Sequence, residues 1–143
     1  MSVTFRNVDV APDAPVVDWP FEALAETLER GIITDWRPVL SEIRARPWGR
    51  VARRVEHWIE MSREDRAAVF FGLCISDARE RAEAAERHEV ARRVREAITR
   101  SGLTAAEFAR EIGTSASRLS TYASGRVVPS ASMFMRIEHI AGP

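Results

Sequence analysis

Few side chains here are of types that do covalent chemistry, and their spacing argues against a shared site. His57, His88 and His139 stand far apart, without the spacing of metal ligands. Cys74 is the single cysteine, so no internal disulfide framework exists. Between Phe70, Phe71, Leu73 and Ile75 it reads as a small buried apolar residue rather than a reactive thiol. Gly-rich phosphate loops and nucleophile motifs are missing. Carboxylates are abundant, but a chain with 29% charged residues carries them on helix surfaces without a catalytic reason. No catalytic residue, metal ligand or cofactor is expected, and the chain reads as a non-enzyme. A different chemistry, hydrogen bonding by a guanidinium set among hydroxyls, is offered by the stretch from Thr104 to Gly125, TAAEFAREIGTSASRLSTYASG.

To act together, those side chains need two short helices joined by a tight turn. Thr104 can cap the first helix, with Glu107 at capping-box spacing three residues on. Ala109 is small where the helices must cross. Gly113, four residues later, supplies a left-handed turn residue that a Cβ would strain. Leu119, six further, plugs the second helix onto the first, with Phe108, Ile112 and Tyr122 beside it. Thr114 or Ser115 caps the second helix and Gly125 ends it. Behind come Arg126, Pro129 and the amphipathic run SASMFMRIEHIA. In front, Val90, Val94, Ala97 and Ile98 make one face of a further helix.

From Val90 to Ala141 this arrangement resembles the helix-turn-helix DNA-binding domain of the Cro and phage-repressor family, the XRE type. The resemblance covers roughly the last third of the chain and implies double-stranded DNA as partner, with helix 115–124 in the major groove. It puts Ala116, Ser117, Arg118 and Thr121 nearest the base edges. Arg118 can make a bidentate contact to guanine O6 and N7, worth about 1–3 kcal/mol of discrimination. Ser117 and Thr121 are less selective hydrogen-bonders, and Ala116 suits a thymine methyl. Thr104, Ser115, Ser120, Arg126 and Ser130 fall where phosphates would lie, fixing register without reading sequence. A cap or a solvated hydroxyl is the competing role for each serine. Two departures from the family stand out. Its usual glutamine near the start of the first motif helix is Ala105, and its common acidic and amide residues before the closing glycine are Ala123 and Ser124. The chain also stops at Pro143, without the fifth helix that in many members shields the core or builds a dimer interface. The N-terminal helices are the expected replacement.

The rest of the chain reads as helical too. The expected fold is all-α, an N-terminal helical unit joined by a long connector helix to the C-terminal helix-turn-helix domain. A flexible arm covers 1–15, with a short alternating patch at Val3 and Phe5. The helical domain covers 16–76, the connector 77–88 and the DNA-binding domain 89–143. Asp18-Trp19-Pro20 opens a helix with proline in its first turn, Phe21, Leu24, Ala25 and Leu28 lie inside, and Gly31 closes it. Thr34-Asp35 opens a second, bearing Trp36, Val39, Leu40 and Ile43. Pro47 lies in the first turn of a third, with Trp48, Val51, Val55, Trp58 and Ile59 on its inner face. A fourth begins at Ser62–Asp65, packs Val69, Phe70, Leu73 and Cys74 on the tryptophan-rich unit, and continues toward Ser101-Gly102. Opposite charges four apart (Asp77 with Arg81, Arg79 with Glu83, Glu83 with Arg87, Glu89 with Arg93) support its exposed middle at about 0.3–0.5 kcal/mol each. A break near Ala84–His88 is the competing layout. Ala78, Ala82 and Ala85 form either a seam for a partner helix or part of a solvated connector. Arg44, Arg46, Arg50, Arg53 and Arg54 are expected on a solvated outer face, extra phosphate contacts being the alternative.

Net charge is zero, yet its distribution is uneven: eight arginines against five acids from Glu89 onward, thirteen against sixteen before it. That is the sign expected if the C-terminal part faces phosphate. Every cationic residue is arginine, which the composition of a GC-rich genome explains better than function does. No apolar run approaches membrane-spanning length, so a cytoplasmic protein without membrane contact is expected. The sequence reads as a sequence-specific transcriptional regulator acting as a homodimer. The alternative is an antitoxin-type or adaptor protein whose N-terminal helical unit binds a protein partner, DNA binding being autoregulatory. A folded tryptophan-rich unit favours the first, since toxin-binding arms are often disordered.

Overall fold

The computed structural model of the chain describes residue 11 and residues 13–142. The arm expected over 1–15, including Val3 and Phe5, lies mostly outside the described residues. After a 3-10 turn at Val16–Asp18, seven α-helices follow: α1 Phe21–Arg30, α2 Ile33–Ala45, α3 Arg50–Met61, α4 Arg66–Ser101, α5 Ala105–Ile112, α6 Ala116–Ser124 and α7 Ala131–Ala141. The fold is all-α, with no strand among the described residues. It divides into two compact units, Met1–Ala82 and Glu83–Pro143. α4 contributes its first half to one and its second half to the other, without the break considered at Ala84–His88.

In the first unit, α1, α2, α3 and the start of α4 enclose a core of Trp19, Leu24, Leu28, Val39, Ile43, Val55, Trp58, Phe71 and Ile75. Helix starts differ from expectation by one to four residues, each for a local reason. Pro20 is the residue before α1 rather than part of its first turn, and its fixed φ of −59° leads the chain in. α2 opens at Ile33 because the Asp35 carboxylate accepts the Ile32 N–H at 3.2 Å. α3 starts only after Gly49, which leaves Trp48 outside its helical repeat and 46% exposed instead of inside. Val51, Val55 and Trp58, spaced by four and three, carry that face. α4 opens at Arg66, the Asp65 carboxylate accepting the Ala67 N–H at 2.9 Å.

The largest correction concerns the face of α4. Val69 and Leu73, expected to pack inward, are 61% and 67% exposed; Phe70 is 41% exposed. The buried set is Ala67, Ala68, Phe71, Ile75 and Ala78. Phe71 and Ile75 supply the bulk of that face and the alanines flank them, so the stripe through Phe71 and Ile75 turns in rather than the one through Val69 and Leu73. Ala78 therefore belongs to this core and is not free for a partner seam. Cys74 is half-buried rather than buried, and that burial pushes its thiol pKa up. The arginine run also divides. Arg54 donates to the Trp19 carbonyl and Arg46 pairs with Glu42 at 2.8 Å, while Arg44, Arg50 and Arg53 are exposed. Of the charge pairs expected along α4, Asp77 meets Arg81 at 2.8 Å and Glu89 meets Arg93 at 2.9 Å. Arg79 turns instead to Glu56 and to the Pro47 carbonyl.

The second unit packs α5, α6 and α7 on the last part of α4. Its core is Val94, Ala97, Phe108, Ala109, Ile112, Leu119, Tyr122 and Ile137.

Candidate nucleic-acid interface

α5 begins with a reciprocal cap. The Thr104 hydroxyl accepts the Glu107 N–H at 3.2 Å, and the Glu107 carboxylate accepts the Thr104 N–H at 2.8 Å. Hydrogen bonds to the carboxylate from the Thr104 N–H first, and then from the Thr104 side chain, hold the Glu107 carboxyl below its ordinary pKa. α5 stops at Gly113, whose φ of +79° is the left-handed conformation that a Cβ strains. The reversal is closed by the Thr114 N–H donating to the Ala109 carbonyl at 2.9 Å. Ala109 is 1% exposed where the two helices meet. Of the two capping residues considered for α6, Ser115 serves, its hydroxyl accepting the Arg118 N–H at 3.1 Å.

α6 is held by Leu119 and Tyr122, which are buried, and by the half-buried Ala123. Its other side faces solvent. Ala116, Ser117, Arg118 and Ser120 are exposed and Thr121 is half-buried. Neither Arg118 nor Arg126 places its guanidinium in an ion pair or hydrogen bond among the described residues. The Thr121 hydroxyl donates to the Arg118 carbonyl at 2.6 Å, so only its lone pairs remain to meet an outside donor. Ser115 is in the opposite state: its oxygen is already used as a cap, and its own proton is free to be donated. Ser130 caps α7 in the same way, accepting the Met133 N–H at 3.2 Å. Thr104, Ser115, Ser130 and the exposed Arg126 thus all stand at helix starts or turns of this unit. Backbone N–H groups at such points are ready partners for anions.

Residues 71–139 match a family model described as a helix-turn-helix domain. The C-terminal part of this chain is a helix-turn-helix domain. Neither comparison with curated proteins nor comparison with solved structures gave a match.

Within the helix-turn-helix domain, two arginines hold the ends of α5 and α6, and neither was expected. Arg95 of α4 donates to the Ala123 carbonyl at 2.6 Å, near the C-terminal end of α6. Arg136 of α7 donates to the Ile112 carbonyl at 3.5 Å, at the end of α5 beside the turn. A cation at a helix C-terminus satisfies orphan carbonyls and meets the negative end of the helix dipole. These bonds span 28 and 24 residues, so no local pattern announces them. A third device joins α4 to α7. Glu89 takes hydrogen bonds from Arg92 and Arg93, Arg92 also reaches Glu96 at 2.8 Å, and Arg93 approaches Glu138 of α7 at 3.5 Å. The bonds from Arg92 and then Arg93 hold the Glu89 carboxyl down to about 2. Four arginines of the helix-turn-helix domain are thereby spent on internal architecture, while Arg118 and Arg126, like Arg100 and Arg110, are exposed and carry no such bond among the described residues. Among the described residues no group of three or more His, Cys, Asp or Glu stands where it could hold a metal ion, and no helix is long and apolar enough to cross a membrane.

Proposed function

We propose that this protein is a sequence-specific double-stranded DNA-binding transcriptional regulator. It reads the major groove with helix 115–124, acts as a homodimer on a two-fold site, and works in the cytoplasm. In this reading Ala116, Ser117, Arg118 and Thr121 meet base edges, and Thr104, Ser115, Ser120, Arg126 and Ser130 meet phosphates. The observation that carries it is the division of α6. One side is committed to Leu119 and Tyr122, while the side bearing Ala116, Ser117 and Arg118 is solvent-facing and its guanidinium is unengaged. A guanidinium free of internal acids keeps both of its forked donors for the O6 and N7 of a guanine. Thr121, reduced to an acceptor, suits an amino group of adenine or cytosine. Residues 1–15, 16–76 and 77–88 serve in this account as arm, association domain and connector, and 89–143 as the DNA-binding part.

The test is selection of bound fragments from random duplexes, run in parallel on the wild type and on Arg118→Ala. The wild type enriches a two-fold motif, and the variant loses preference at one base pair per half-site, by about tenfold or more. Retention of no duplex at low ionic strength would overturn the reading; an unchanged motif would remove Arg118 from it.

A further inference from the structure

The solvent side of α4 in the first unit is the feature that the reading above leaves unused. Arg66, Val69, Phe70, Leu73 and Asp77 recur at intervals of three and four along it, on the side opposite the buried Ala67, Phe71, Ile75 and Ala78. Val69, Phe70 and Leu73 are all substantially exposed. The apolar surface continues onto α2. Trp36 stacks on Phe70 with ring centroids 5.7 Å apart, and Ile33, one turn before Trp36, is 73% exposed. Scattered exposed apolar residues need no explanation, but a contiguous patch spanning two helices does.

Its charges say what fits it. An arginine bounds the patch at one end, and at the other stands Asp77, whose Oδ2 accepts from Arg81 at 2.8 Å and leaves Oδ1 for a second cation. A second copy laid parallel and in register would set Arg66 against Arg66 and Asp77 against Asp77. Laid antiparallel about a two-fold axis between Phe70 and Leu73, each Phe70 meets Leu73 of the second copy. Arg66 then meets Asp77 at both ends. Sliding one copy by a turn puts Leu73 against Arg66 or Phe70 against Asp77, so a single register satisfies both the apolar and the charged positions. A two-fold contact must be self-complementary in this sense. We propose that this face of α4 is the surface through which two copies of the chain associate, antiparallel, with Phe70 and Leu73 at its centre and Arg66–Asp77 pairs closing each end. This deepens the homodimer part of the reading above, and it needs no DNA to be true.

The experiment is sedimentation of the full chain without DNA, together with its variants. The wild type is expected to sediment as a dimer at micromolar concentration. Leu73→Glu should weaken association by more than about tenfold while leaving the helical circular dichroism and the melting temperature of the first unit in place, since that side chain makes no part of the core. Arg66→Asp alone and Asp77→Arg alone should each weaken the dimer, and the double reversal should restore it. A monomeric wild type, a dimer indifferent to Leu73→Glu, or failure of the double reversal to rescue would each overturn the proposal. So would a chain that stays monomeric and uses this face for a different protein. A monomer that still retains specific duplex defeats only this interface, whereas a dimer that retains none defeats only the DNA reading.

Discussion

At the scale of single residues, what separates Arg118 and Arg126 from Arg92, Arg93, Arg95 and Arg136 is whether the protein has already used the guanidinium. Arg126 sits after the C-terminal turn of α6, exposed, and its expected partner is a phosphate. Arg126→Ala should therefore weaken binding to all duplexes by similar factors and flatten the dependence of log affinity on log salt by about one contact. Losses that differ strongly between sequences, measured by titration at several salt concentrations, would move Arg126 into the base-reading set. Gly31 makes a different residue-scale argument. Its backbone is ordinary, with φ −67°, but a Cβ there would lie 2.2 Å from the Thr27 carbonyl oxygen. That oxygen already accepts the Gly31 N–H at 2.8 Å and the Trp36 indole N–H at 2.9 Å. Gly31→Ala should cost the first unit about 2 kcal/mol, read from urea unfolding followed by tryptophan fluorescence. An unchanged midpoint would mean that the α1–α2 junction yields more easily than its packing implies.

At the scale of elements, the helix-turn-helix was legible in the sequence because its determinants are local. Thr104 and Glu107, Ser115 and Arg118, and Gly113 interact across three or four residues or within one. The face of α4 was not legible, because two apolar stripes compete there: Val69, Phe70 and Leu73 on one, Phe71 and Ile75 among alanines on the other, and only the second meets the core. Arg95 and Arg136 were beyond reach for another reason: their acceptors are backbone carbonyls, which every residue has. The α4–α7 junction can be tested through acid. Glu89 titrates near 2 in the folded chain against an ordinary 4.5, so its ionised form favours folding. That contribution is whole above about pH 4.5 and fades as pH falls toward 2. Thermal melts of Glu89→Gln and wild type should therefore differ most near neutrality, modestly because the group is exposed, and converge in acid. A gap that widens as pH falls would contradict the Arg92 and Arg93 assignment.

At the scale of the whole molecule, the two units have separate cores: Trp19, Trp36, Trp48 and Trp58 all lie in the first unit, and the residues proposed to contact DNA in the second. Leu119→Asp buries an unpaired charge in the second core and should unfold it, since such a change exceeds what a small unit can absorb. Tryptophan emission should remain native while helical signal and DNA binding fall; a simultaneous red shift would show that the two cores melt as one. α4 belongs to both. Its buried residues end at Ala78 in one core and resume at Ala91 in the other, and no residue from 79 to 90 is buried. Helices ordinarily fray from their tips and hold best at their centre. Here packing secures the two flanks, Arg79 still holds to α3 through Glu56 and Val90 already leans on the second core, and the stretch between them rests on backbone bonds and exposed side chains. Amide protons near Ala85 are therefore the ones that should trade with solvent soonest, placing the weakest point of the longest helix in its middle.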